Sequence, residues 1–145
     1  MRILVINGPN LNLLGIREPD IYGKQTFADL CDFIRESAAR LEIEVELFQS
    51  NHEGEIVDRI QSAMDGFDGI LINPAAYTHT SVAILDALKA VLLPTVEVHL
   101  SDIDRREGFR KFSYISLYAQ KTISGKGFKG YSEGLAFLKR YISNA

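Results

Sequence analysis

Cysteine occurs once in this chain, as Cys31, so a disulfide within the chain is excluded. With Leu30 and Ile34 beside it on a helical stripe, that thiol is expected as a small core residue rather than a nucleophile. Histidine is nearly as scarce: His52, His79 and His99 are widely spaced and form no paired ligand motif, so no metal centre is expected. Basic charge is short as well, 16 Lys and Arg against 19 Asp and Glu giving a net charge of -3, which argues against a nucleic-acid partner. No apolar run approaches the roughly 20 residues needed to cross a bilayer. The opening MRILVING also lacks the basic, apolar and small-residue regions of a signal peptide, so a cytoplasmic protein without membrane association is expected. No linker, internal repeat or low-complexity tract divides the chain, and residues 1–145 are expected to form a single domain.

What is present is an alternation of strand and helix. RILVIN, IEVELF, GILIN and TVEVH read as strands, separated by helical patterns over about 26–40, 54–64 and 80–91. Thr26 with Asp29 three residues on fits a capping box, and Gly66 and Pro94 lie just past the second and third helix ends. After His99 an irregular stretch runs to Phe112, then a short apolar run near Tyr114, a small strand around Thr122 and a last helix from about Tyr131. Repeated βα units predict an α/β fold with a doubly wound, five-stranded parallel sheet. In such a sheet ligands bind beyond the carboxyl ends of the strands, where the strand order reverses.

The sequence concentrates its polar oddities at those ends. Residues 8–23, GPNLNLLGIREPDIYG, have neither helical nor strand periodicity, and a loop of that length is more often functional than merely connecting. Within it, an arginine held near a tyrosine favours the phenolate, so Arg17 and Tyr22 suggest proton abstraction by a phenol of lowered pKa. Glu97 and His99 are two apart in TVEVH and share one face of the strand, where the carboxylate can fix the imidazole tautomer and leave an oriented general acid. A satisfied core histidine is the competing account, and the place of the pair at a strand end favours function.

Asn73 closes GILIN, where its amide can donate to an oxygen gaining negative charge or simply form a turn before Pro74. In THTS the hydroxyls are helix-cap candidates, and His79 would stand near a helix N-terminus, where it can bind an anion or cap. Arg105, Arg106, Arg110 and Lys111 share one loop; a solvated charge run is the usual account, but one or two can fork onto a small anionic substrate.

Competing chemistries fit less well. A mononucleotide site would need more backbone donors than Gly8-Pro9-Asn10 offers, and the GxGxxG of Gly125, Gly127 and Gly130 comes at the last element, as glycines for a tight crossing. A receiver-type signalling module needs an aspartate where Asn73 stands, and Ser81 lacks the glycine-flanked turn of a hydrolase nucleophile. No lysine ends an apolar strand to form an imine, Lys24 beside the loop being a weak exception.

The segments GPNLNLLGIREPDIYG, NPAAYTHTSVAILDAL and EVHLSDIDRREGFRKFS together resemble the type II 3-dehydroquinate dehydratases, in the family's order and spacing over nearly the whole chain. The resemblance implies a flavodoxin-like fold, no metal or organic cofactor, and a homododecamer built as a tetramer of trimers. It implies a hydro-lyase taking 3-dehydroquinate to 3-dehydroshikimate through an enolate, the third step of the shikimate pathway to aromatic amino acids. By position it makes Tyr22 the base, Arg17 the lid residue that activates it, His99 the proton donor, Glu97 its orienting carboxylate and Asn73 a stabiliser of the enolate. Asn12 falls in the lid motif. His79, Leu100, Ser101 and Arg110 match substrate contacts, Asp86 a residue that reaches across from a neighbouring subunit, and Arg106 a structural or lid-associated group. Two positions depart from the pattern: Asp102 replaces a common asparagine and is expected to point away or pair with an arginine, and Leu85 replaces a frequent arginine and bears on subunit contacts.

Overall fold

The computed structural model describes residues 1–16, 20 and 23–145. Five parallel strands lie in the order β2-β1-β3-β4-β5. β1 (Arg2–Asn7), β3 (Gly69–Asn73) and β4 (Thr95–His99) have the bounds expected from the sequence. The apolar runs of β1 and β3 belong to central strands covered on both faces. β2 (Glu44–Gln49) and β5 (Lys121–Ser124) are the half-exposed edges. β2 starts one residue later than IEVELF suggests, because Ile43 is buried in the core ahead of the ladder.

Four α-helices among the described residues cover the sheet. α1 (Phe27–Arg40) opens on the expected capping box, with Asp29 N donating to Thr26 Oγ1 at 3.1 Å and Thr26 N to the Asp29 carboxylate at 2.9 Å. Such a cap contributes about 0.5–2 kcal/mol. α2 (Glu53–Ser62) follows β2. α3 (Val82–Val91) starts two residues later than expected, because Ala75–His79 form a 3-10 turn and Ser81 caps the helix by accepting from Ile84 N at 2.9 Å. α4 (Lys129–Ser143) closes the chain.

The doubly wound arrangement appears as two apolar clusters. Val5, Leu71, Val96 and Val98 pack beneath Leu30, Ile34, Leu135 and Leu138 of α1 and α4. Leu4, Ile6, Ile70 and Ile72 pack on the other face beneath Ile56, Ile60, Ile84 and Leu88 of α2 and α3. Each side chain of this size contributes about 1.5–3 kcal/mol on full burial, which anchors the strand ends that carry the polar residues.

Cys31 corrects one expectation. It is half-buried at the edge of α1 while Leu30 and Ile34 take the core positions, and its partial burial pushes the thiol pKa up. The glycine-rich crossing behaves as its sequence suggests, with Gly125 and Gly127 at φ 78° and 57°, a left-handed conformation that favours glycine. No helix among the described residues is long and apolar enough to cross a membrane.

Candidate active site

The strand order reverses between β1 and β3, and the register places Gln49, Asn7 and Asn73 abreast at the carboxyl edge, with His99 opposite Ser124. Here the chains leaving β1 and β3 touch: a Cβ on Gly8 would stand 2.5 Å from the Pro74 carbonyl oxygen, and Gly8 N donates to the Asn73 carbonyl at 2.8 Å. Only glycine fits that approach. Above this edge opens a crevice of about 680 Å³ of empty space, its mouth included. Leu11, Leu13 and Leu14 give it an apolar side, and Asn73, His99 and Ser101 bring polar atoms from the strand ends. Leu11 and Leu14 also belong to the core cluster, so the first part of the 8–23 loop is anchored by burial.

His99 is the chemical centre of the described crevice. Its Nε2 meets Glu97 Oε2 in a short hydrogen bond, as the period-two spacing predicts, which leaves Nδ1 as the ring nitrogen available to the crevice. Glu97 is fully buried, and burial alone would push its carboxyl pKa up. The hydrogen bond and charge of His99, together with the hydroxyls of Ser113 at 2.7 Å and Thr78 at 2.8 Å, outweigh that and hold the pKa below its ordinary value. Thr122 adds a longer contact at 3.3 Å to the other oxygen. The carboxylate is therefore kept charged and fixed, and it orients the imidazole.

Asn73 shows the turn role weighed for it, and its amide nitrogen reaches a buried hydroxyl. Its Oδ1 accepts from Ala75 N at 3.1 Å, the turn role, while its Nδ2 donates to the Tyr131 hydroxyl at 2.9 Å, and the side chain still lines the crevice. His79 sits in the 3-10 turn before α3, where its Nδ1–H donates to the Phe112 carbonyl at 2.7 Å. Burial lowers its pKa, and the nearby His99, Arg110 and Arg106 lower it further, so it presents a neutral ring with Nε2 free of that bond. Arg106 and Arg110 both line the crevice. Arg110 Nε is buried without a hydrogen bond among the described residues, its carboxylate neighbour Glu107 standing 3.5 Å away. A guanidinium so placed suits a carboxylate ligand.

Leu100 and Ser101 line the crevice as expected, whereas Asn12 and Asp86 do not. Asn12 is exposed, and its Oδ1 accepts from Gln49 Nε2 at 3.4 Å. Asp86 is exposed on α3 and is not among the described residues that line this crevice. Arg17 and Tyr22 lie outside the described residues. Asp102 does pair with an arginine, Arg105 at 3.5 Å, and caps its own turn by accepting from Asp104 N at 3.0 Å. Leu85, expected to bear on subunit contacts, is buried in the α3 core of its own chain.

Sequence reasoning missed the residues behind the site. Thr78 reads as a cap candidate, Tyr131 as a helix start and Ser113 as nothing in particular, yet Thr78 and Ser113 hold Glu97 and Tyr131 holds Asn73. No local pattern marks them, because each acts on a residue at least 16 positions away.

Comparison with known proteins agrees with this fold. The family model for class II dehydroquinase matches residues 1–139. The chain is 52% identical over 143 residues to a 3-dehydroquinate dehydratase of Clostridium acetobutylicum, covering 99% of each chain. It is 53% identical over 141 residues to a catabolic 3-dehydroquinase of Verticillium alfalfae, covering 97% of this chain and 94% of that protein. A crystal structure of type II dehydroquinase from Butyrivibrio crossotus superposes with a TM-score of 0.94 at 50% identity, over 96% of this chain and 97% of the other. With an oriented histidine at the strand crest, a flavodoxin-like sheet and these whole-chain matches, the protein belongs to the class II dehydroquinase family.

Proposed function

We propose that this chain is a single-domain hydro-lyase that converts 3-dehydroquinate to 3-dehydroshikimate in the shikimate pathway. The observation that carries the chemistry is the Glu97–His99 pair, a buried carboxylate holding an imidazole whose second nitrogen is available to the crevice. Tyr22, with Arg17 beside it in the motif, takes the proton from the carbon next to the ketone. The C–H electron pair passes to the ketone oxygen as an enolate, which the free Nδ2–H of Asn73 stabilises. The enolate electrons then form the carbon–carbon double bond as the adjacent C–O bond breaks. His99 gives its Nδ1 proton to the departing oxygen, and one water is lost. Tyr22 releases its proton and His99 regains one, so the enzyme is unchanged and needs no redox partner.

Arg110, His79 and the Leu100–Ser101 segment hold the substrate, with Arg110 opposite its carboxylate. Asn12 acts from the lid. Asp86, exposed and outside the lining of its own crevice, fits a role in a neighbouring subunit's site, and the enzyme works as a cytoplasmic homododecamer of four trimers. The test is spectrophotometric: purified protein mixed with 3-dehydroquinate should generate the absorbance of the conjugated product, and Tyr22→Phe should abolish it with the fold intact. A wild-type protein that produces no such absorbance would refute the reading.

A further inference from the structure

Asn73 has to present a donor, not an acceptor, if it is to meet an enolate oxygen, and an amide can sit either way round. The backbone decides the first half. Ala75 N–H can only donate, so the Asn73 atom 3.1 Å from it is the carbonyl oxygen, and Nδ2 faces the Tyr131 hydroxyl at 2.9 Å. That hydroxyl has one proton. Since it accepts from Asn73, its proton goes to Asn7 Oδ1, 2.6 Å away at the end of the neighbouring strand. The result is a directed chain from Ala75 to Asn73 and from Asn73 through Tyr131 to Asn7, in which one Asn73 Nδ2 hydrogen and its oxygen are spent. The second Nδ2 hydrogen is left for the crevice that Asn73 lines.

Tyr131, Asn7 and Asn73 are all buried, with Tyr131 fully enclosed between α4 and the sheet. Burial pushes the Tyr131 hydroxyl pKa far up, so it stays a donor throughout the working range. Tyr131 is not among the residues lining the crevice and has no route to the substrate.

We infer that Tyr131 is a positioning residue for the dehydration: its hydroxyl, locked between Asn7 and Asn73, holds the Asn73 amide with a donor turned to the enolate oxygen. This inference rests on the proposed reaction and adds a residue to it. Tyr131→Phe keeps the ring that packs under α4 and removes only the lock. The variant is expected to lose about 10- to 100-fold in kcat with KM little changed. In an Asn73→Ala background the same substitution should cost no more than about twofold, because residues acting through one group are not additive.

A merely structural hydroxyl would lose the same factor in both backgrounds. Asn7→Ala is the second probe: it leaves the hydroxyl but frees its proton to turn toward Asn73, and a smaller loss of kcat with unchanged KM is expected. Wild-type kcat in folded Tyr131→Phe or in Asn7→Ala, or equal losses with and without Asn73, would overturn the inference. Absence of turnover in the wild-type enzyme would instead overturn the proposed reaction itself.

Discussion

β4 and the segment that follows it supply the two kinds of charge in the crevice, and they are built in opposite ways. On the strand, Glu97 and His99 are buried, joined by a short hydrogen bond and braced by Ser113 and Thr78. Beyond it, residues 102–111 carry exposed or half-buried charges in local pairs three apart, Arg105 with Asp102 and Arg110 with Glu107, each at 3.5 Å. The strand pair is held by tertiary structure and cannot relax when a ligand arrives, which suits proton transfer in a transition state. The loop arginines have replaceable partners, and a substrate carboxylate can take the place of the one near Arg110. On the proposed reaction, rigidity is placed where the chemistry occurs and exchange where the substrate binds.

The largest effect should come from breaking the strand pair. Glu97→Gln leaves a neutral amide that can offer its own N–H to His99 and lose the fixed tautomer, so kcat should fall about 100-fold or more; undiminished turnover in steady-state assays would show that the carboxylate is not needed. Next comes the bracing. Ser113→Ala leaves a buried carboxylate short of one donor and should cost about 1–3 kcal/mol of stability at neutral pH.

Because the Glu97 pKa lies below its ordinary value of 4.5, its stabilising contribution is present above that pH and is lost as pH falls through the lower folded value. The Ser113→Ala penalty should therefore hold steady from neutrality to about 4.5 and shrink below it, as read from denaturant melts at a series of pH values. A penalty that is the same in acid would contradict the braced carboxylate.

The loop should respond more mildly and in a different parameter. Arg110→Ala is expected to raise KM about tenfold with kcat less affected, since a charged hydrogen bond to the substrate is lost in ground and transition states alike. Arg105→Ala, which removes an exposed pair, should change stability by no more than about 0.5 kcal/mol and leave turnover intact. If Arg105→Ala matched Arg110→Ala, the distinction between a crevice arginine and a solvated one would fail.

Much of this contrast is legible in the sequence. RILVIN and GILIN mark their strands because burial on both faces demands near-continuous apolar runs, and TVEVH marks its own by alternation, which fixes Glu97 and His99 on a common side by the pleat alone. Edges are less legible: β2 shifts by one residue because Ile43 is drawn into the core, and α3 starts late because Ser81, not Thr80, makes the cap. Illegible altogether are Ser113, Thr78 and Tyr131, polar residues in loop or helix whose importance comes from what the fold brings beside them. Cys31 fails for the opposite reason, since a helical stripe says which residues are near the core but not which one turns away.

The most direct measurement pairs kcat with affinity in His99→Ala. If His99 is the proton donor that Glu97 orients, kcat should fall by about 100- to 10,000-fold while the dissociation constant for an unreactive substrate analogue stays close to that of the wild type. Equal losses in turnover and affinity would make His99 a binding residue and contradict the account.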